Sequence, residues 1–187
     1  YAKFIDEQRC KIEVGLNRSF VLAVLDELRK TTTPGVLAIL DADFGRLEGK
    51  TFPADVVLTD THDAETLLLR SPALDAVLHE HGSEEKLARY TAQHGPLRDV
   101  LVRLGRDVGY LRWHSQRAGL ALRFEGFDVS KAVDATFTML DRNEATRIVL
   151  ARSQKTPLQS AVIAATDALC APTHDPWDVC CGHDLSA

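Results

Sequence analysis

The sequence predicts an α/β domain, with a mostly parallel sheet flanked by helices and a helical C-terminal elaboration. Three observations carry this. Val36-Leu37-Ala38-Ile39-Leu40 is an unbroken apolar run, the pattern of a strand buried on both faces of a parallel sheet. Strand-like and helix-like stretches alternate through the first half, as a layered α/β structure requires. Beyond Gly82 the periodicity is almost wholly helical. The expected division is an α/β core over 1–82 and a mainly helical elaboration over 83–187 that returns to the core's functional edge.

The elements follow in order. Tyr1–Glu7 reads as the last turns of a helix and Lys11–Val14 as a short strand. Gly15-Leu16-Asn17 is a turn, with Asn17 suited to cap a helix. Phe20, Val21, Val24, Leu25 and Leu28 recur at helical spacing to about Lys30, where Thr31-Thr32-Thr33-Pro34-Gly35 breaks the pattern. The Val36–Leu40 strand is followed by a charged, Gly-containing loop from Phe44 to Pro53, and Val56-Val57-Leu58 is the next strand. Helices are expected from about Asp63 to Leu69 and from Pro72 to Glu80, then through most of Glu84 to Gly119. Leu120–Phe124 reads as a strand. Helices over Val129–Leu140, Glu144–Ser153 and Leu158–Leu169 complete the chain.

Composition narrows the function. Among 187 residues no apolar run approaches the roughly 20 that a membrane span needs. No signal peptide is visible, so the expected setting is the cytoplasm, without a membrane partner. The four cysteines, three of them at positions 170, 180 and 181, form no disulfide framework. A net charge of −5 argues against a dedicated nucleic-acid coat protein but not against a metal-dependent nuclease. Between Lys86 and Arg123 the balance reverses: Lys86, Arg89, Arg98, Arg103, Arg106, Arg112, Arg117 and Arg123 face only Asp99 and Asp107. That stretch reads either as a solvated helical face or as a track for a phosphate backbone.

Four local signals could carry chemistry. The first is Asp41-Ala42-Asp43 at the end of the first buried strand, where open parallel sheets bind ligands. In an extended chain residues i and i+2 share a side, and two carboxylates there repel each other unless a hard cation such as Mg²⁺ or Mn²⁺ binds. The second is Asp60-Thr61-His62-Asp63-Ala64-Glu65 after the next strand. Here Asp63 either ligates the cation or caps the following helix. The third is Gly15-Leu16-Asn17-Arg18-Ser19, a helix start that, with Arg18, could receive a phosphate. The fourth is the segment His174–His183, containing Cys180, Cys181 and His183, with Asp184 beyond. Its spacing does not match paired-cysteine zinc knuckles.

In this order and spacing, Gly15 and Asn17, Leu37–Phe44, Thr59–Leu68, Trp177 and Gly182-His183-Asp184-Leu185 resemble the bacterial domain of unknown function 4435 family. That family is similar to the Toprim domains of overcoming-lysogenization-defect nucleases, and some members look like phage-defence effectors encoded beside ABC-type ATPases. The resemblance implies a Toprim-like fold and a Mg²⁺-dependent nuclease acting on DNA or RNA. It implies metal at Asp41 and Asp43, with Asp60 and Asp63 as further ligands. Asp41, Asp43, Glu65 and His183 are the expected catalytic residues. Arg18, Arg103, Arg106, Arg112 and Arg117 are the expected nucleic-acid contacts. An ATPase of the ABC type is an expected partner, and self-association is another.

Toprim domains open with a strand carrying Val-Glu-Gly, and neither Glu7 nor Glu13 matches it. Both ends of the chain read as cut, with that strand expected upstream of Tyr1. The expectation is therefore a chain that binds metal and cleaves poorly. Two rivals are an inactive or regulatory module docking the ATPase and a Mn²⁺-dependent sugar-nucleotide transferase, which also places Asp-x-Asp after a buried strand.

Overall fold

The computed structural model describes residue 6 and residues 8–31 and 34–186. The helix expected over Tyr1–Glu7 lies outside these residues apart from Asp6. The protein is mixed α/β, largely helical, with one small parallel sheet. It groups into two compact units, residues 1–40 with 52–58 and residues 41–51 with 59–187. The expected 82/83 boundary falls inside the second.

In the first unit, α1 (Arg18–Arg29) begins where the Asn17 side chain accepts the Phe20 N–H at 2.9 Å. Its apolar stripe sets Leu25, with Val21 and Leu22, against Ala38 and Leu40 of β1 (Ala38–Leu40) and Val56 of β2 (Val56–Leu58). The two strands are parallel, with Ala38 opposite Val56 and Leu40 opposite Leu58. Arg29 clamps Asp55 through Nε at 2.8 Å and a terminal nitrogen at 2.5 Å.

The expectation of a strand buried on both faces is corrected. Ile39 is 40% and Val57 45% exposed. Strand side chains alternate, so a single helix covers Ala38 and Leu40 and leaves the intervening residues on the other face. The strand expected at Lys11–Val14 is not formed, and Val14 is exposed. That segment has no ladder partner to satisfy its backbone.

The second unit contains α2 (Ala64–Arg70), α3 (Ala73–His81), α4 (Glu84–His94), α5 (Leu97–Arg117), α6 (Arg142–Ser153), α7 (Gln159–Cys170), α8 (Pro176–Val179) and α9 (Gly182–Ser186). The long α5 is its axis. Val108 and Leu111 pack with Phe124, Phe127, Val149 of α6 and Val162 of α7. Elsewhere on α5, Gly105 and Gly109 admit the C-terminal segment. A Cβ at Gly105 would stand 2.3 Å from a Leu185 methyl, and one at Gly109 would stand 2.2 Å from the Val179 carbonyl oxygen. Close approach at these two positions is what lays α8 and α9 on α5 and so places residues 180–184.

Two more elements are corrected. Leu120–Phe124 is not a strand. Gly119 and Ala121 take positive φ, and the Leu122 and Arg123 N–H groups are satisfied by the Ser115 and Ser153 hydroxyls at 3.0 and 2.7 Å. The helix expected over Val129–Leu140 shrinks to a 3₁₀ turn, Val129–Ala132, followed by a loop closed by a bridge between Val133 and Leu140. Asp134 is the reason: its carboxylate accepts the Thr138 and Met139 N–H groups at 2.7 and 2.8 Å, drawing the backbone out of helical pairing. Among the described residues no helix is long and apolar enough to cross a membrane.

Candidate functional site

The two acidic segments that follow the strands in sequence both belong to the second unit, and hydrogen bonds stitch them together. The Ala42 N–H donates to Thr59 Oγ1 at 2.9 Å, while that hydroxyl donates to the Thr61 carbonyl at 2.7 Å. The Asp43 N–H donates to the His62 carbonyl at 2.7 Å. Arg46 ties both to α8, with one nitrogen on the Thr59 carbonyl and another 3.0 Å from Asp178. Threonines at 59, 61 and 66 are buried because each hydroxyl has a partner in this lacing.

Asp43 has φ of +45°, so the chain turns after Leu40 rather than running on as a strand. Asp41 and Asp43 are thus juxtaposed by a left-handed turn and not by the i, i+2 alternation expected from the sequence. Asp41 Oδ1 accepts the Ala64 N–H at 3.2 Å, at the first residue of α2. Burial raises the Asp41 carboxyl above its ordinary value, and repulsion from Asp43, then Asp63 and Glu65, adds to this. Asp43, Asp63 and Glu65 thus each lie near enough to Asp41 to act on its carboxyl.

Asp63 takes the capping role that the sequence left open. It is 6% exposed, its Oδ1 accepts the Thr66 N–H at 2.8 Å, and the Asp63 N–H donates in turn to Thr66 Oγ1 at 3.0 Å. Its other oxygen accepts the Gly182 N–H at 2.8 Å, joining the start of α2 to the start of α9. His183 then lies 3.8 Å from Glu65, both partly or well exposed. Asp60 is exposed and enters neither compact grouping of ligand atoms.

Those groupings are His62 with Asp63 and Cys181, and Asp63 with Glu65 and His183, each with ligand atoms within 4.8 Å of one another. Asp41 and Asp43 belong to neither, so they could share a cation only with help from its retained waters, as Mg²⁺ allows. His62 is buried against Phe44, with Nδ1 3.1 Å from the Asp178 carbonyl and Nε2 4.0 Å from Asp43. A cleft of about 490 Å³ opens beside it, with Asp43, Arg112, Phe124 and Cys181 in its walls.

The expected cationic residues divide. Arg112 donates to both oxygens of Asp184 at 2.7 and 2.6 Å and lies 4.3 Å over the Phe124 ring. Burial opposes its charge, but the bonds and attraction to Asp184 outweigh that and raise its pKa. Arg117 sits over Trp113 and near Glu48, and Arg98 holds the α2–α3 junction through Leu69, Ser71 and Asp75. Lys86, Arg89, Arg103, Arg106, Arg117 and Arg123 are exposed, so six of the eight basic residues of the stretch face solvent, while Arg98 and Arg112 are partly buried in structural pairs. Arg18, in the first unit, lies over Phe52.

Cys180 is fully buried and points its Sγ at the Val102 carbonyl at 3.4 Å. Cys181 is half-buried, and burial pushes its thiol up to about 11 against the pull of Arg112. Sequence reasoning missed Arg46, Asp178 and the meeting of Cys181 with His62. Only Asp175-Pro176, a cap followed by Pro at the first helical position, signalled the α8 turn that brings them in. No protein-family model, no curated protein and no solved structure matches this chain.

Proposed function

We propose that the chain is a divalent-metal-dependent, Toprim-like nuclease domain acting on phosphodiesters of DNA or RNA. The observation that carries this reading is the gathering of Asp43, Asp63 and Glu65 around Asp41, whose carboxyl is raised by burial first and by these neighbours in addition. Oxygen donors in a repelling cluster suit a small hard cation. Asp41 and Asp43 would hold Mg²⁺ or Mn²⁺, with Glu65 next in reach, while Asp63 keeps its capping bonds. Such a cation supplies stabilisation of charge on phosphate oxygens. His183, paired with Glu65, is the exposed group at this edge able to exchange a proton. Arg103 and Arg106, exposed on α5, would follow a nucleic-acid backbone, whereas Arg112 serves the fold. The four free cysteines suit a reducing, cytoplasmic setting.

The test offers labelled single- and double-stranded DNA and RNA with Mg²⁺ or Mn²⁺. Metal binding with at most slow cleavage, both lost in Asp41→Asn/Asp43→Asn, is the expected result. The same double variant should lose the thermal stabilisation that the metal gives. For metal at about 100 times its Kd that stabilisation is about 2.7 kcal/mol. Cleavage undiminished in the double variant, or no thermal stabilisation of the wild type by either metal, overturns the reading.

A further inference from the structure

We propose that His62, Asp63 and Cys181 form a second cation site, suited to Zn²⁺ or a similar transition metal, in the wall of the cleft. The site adjoins the Asp41 and Asp43 pair, with Asp43 4.0 Å from His62 Nε2, but uses other ligands and does not depend on the nuclease reading. Cysteine spacing alone does not suggest it, because its ligands come from the start of α2 and the residue before α9. The Asp63–Gly182 bond spans 119 positions and brings the two segments together.

Geometry comes first. One ligand atom from each residue lies within 4.8 Å of the other two. Ligands on one tetrahedral zinc lie roughly 3.3–3.8 Å apart, given Zn–N and Zn–S lengths of about 2.0–2.3 Å. Closing that gap takes about 1 Å of side-chain movement.

Each candidate ligand also has an outer partner that orients it. His62 Nδ1 lies 3.1 Å from the Asp178 carbonyl, which can only accept. Nδ1 therefore carries the proton, and Nε2 presents its lone pair. A ring N–H held by a carbonyl is the usual support of a metal-bound histidine. The His62 backbone is fixed as well, its N–H donating to the Trp177 carbonyl at 2.8 Å. Asp63 Oδ2 accepts one bond, from Gly182, and a carboxylate oxygen has two lone pairs, so one remains for a cation.

The donor set selects the metal. Imidazole nitrogen, carboxylate oxygen and thiolate sulfur together favour a borderline ion over Mg²⁺, which avoids sulfur. The sulfur is that of Cys181 and not of Cys180, whose Sγ is buried against the Val102 carbonyl. His62 and Cys181 both line the cleft, so three protein ligands leave a fourth position facing open space, as in zinc sites that bind water or substrate.

Cobalt is the direct probe, because thiolate ligation gives a near-ultraviolet charge-transfer absorption. Co²⁺ titration of the whole chain should produce that band at one equivalent, and Zn²⁺ should displace it. The band should persist in Cys10→Ser and in Asp41→Asn/Asp43→Asn, and vanish in Cys181→Ser. Zn²⁺ affinity, read by competition with a chromogenic chelator, should fall about 10-fold or more in Cys181→Ser and His62→Gln, since loss of an outer partner alone costs that much. Circular dichroism of the metal-free variants checks their folding. X-ray absorption of the zinc-loaded wild type needs no variant and should show one sulfur at about 2.3 Å. A wild type without the cobalt band, a band unchanged in Cys181→Ser, or a zinc shell without sulfur overturns the site. Because the Asp41/Asp43 variant keeps the cobalt band, failure here is distinct from failure of the nuclease reading.

Discussion

Replacing Arg112 with methionine would leave the Asp184 carboxylate charged and sealed in the protein. Its side chain is 2% exposed, against 22% for Arg112, and the guanidinium reaches it with two bonds of 2.7 and 2.6 Å. Removing one partner of a buried pair costs about 3–5 kcal/mol, chiefly because the remaining charge is uncompensated. Solvent can enter where the partly exposed arginine stood, so the lower end, about 3 kcal/mol, applies. The stacking on Phe124 at 4.3 Å is lost too, and methionine's apolar chain replaces part of it. In a chain of this size each kcal/mol moves Tm by about 2–4 °C, so a fall of about 6–12 °C is expected. Thermal and urea unfolding measure it, and an unchanged m-value confirms that the unfolded state is not what changed. Arg112→Met/Asp184→Leu removes both charges and should recover more than half of the loss, because an apolar pair in place of a buried ion pair is often neutral. A single variant within about 2 °C of wild type would refute the reasoning, as would a double variant no more stable than the single.

The remaining predictions concern Asp41 and the serine hydroxyls. Burial and neighbouring carboxylates raise the folded-state pKa of Asp41 above its ordinary 3.8, so the native protein keeps that proton to higher pH than the unfolded chain does. Its contribution to stability is complete below 3.8 and is lost as pH rises through the folded value. In metal-free buffer the wild type should therefore lose stability relative to Asp41→Asn across that interval. Urea midpoints taken from about pH 3 to about pH 7 should give a falling difference curve, and a flat one removes the charge repulsion inferred here. Ser115→Ala and Ser153→Ala should each cost about 1–3 kcal/mol, because the Leu122 and Arg123 N–H groups lose their acceptors. Losses under about 0.5 kcal/mol for both would mean that the 120–124 segment is held by something else.

Much of the helical framework was legible because its signals are local. Asn17, read as a cap, and Asp63, read as a cap or a ligand, each accept the N–H of the third residue into the helix that follows. β2 was legible at Val56–Leu58 for the same reason, a short apolar run between turns. What failed was decided by competition over distance. Ser115 and Ser153 take the N–H groups that a strand at 120–124 would have given to a neighbour, and Asp134 claims two that a helix at 129–140 needed. Neither serine lies within the segment that it reorganises, so periodicity inside that segment carries no trace of it. The burial of Val36–Leu40 failed differently. A continuous apolar run reports how many faces a strand is able to bury, while the number of covering elements decides how many it does bury.

The candidate site shows the same division. Asp41, Asp43, Asp63 and Glu65 stood out as carboxylates after strands, and the last three act on the Asp41 carboxyl. Their roles depend on partners elsewhere in the chain. Asp63 is anchored by Gly182, Asp43 by the His62 carbonyl, and His62 by Trp177 and Asp178. Those partners reach the site only because Gly105 and Gly109 allow Leu185 and Val179 to lie against α5. The two glycines thus act on the site from a helix that contributes no ligand to it. A side chain at Gly109 would meet the Val179 backbone, push α8 outward and withdraw Cys181 from His62 and Asp63, whereas one at Gly105 would first meet the end of the Leu185 side chain, which can turn aside.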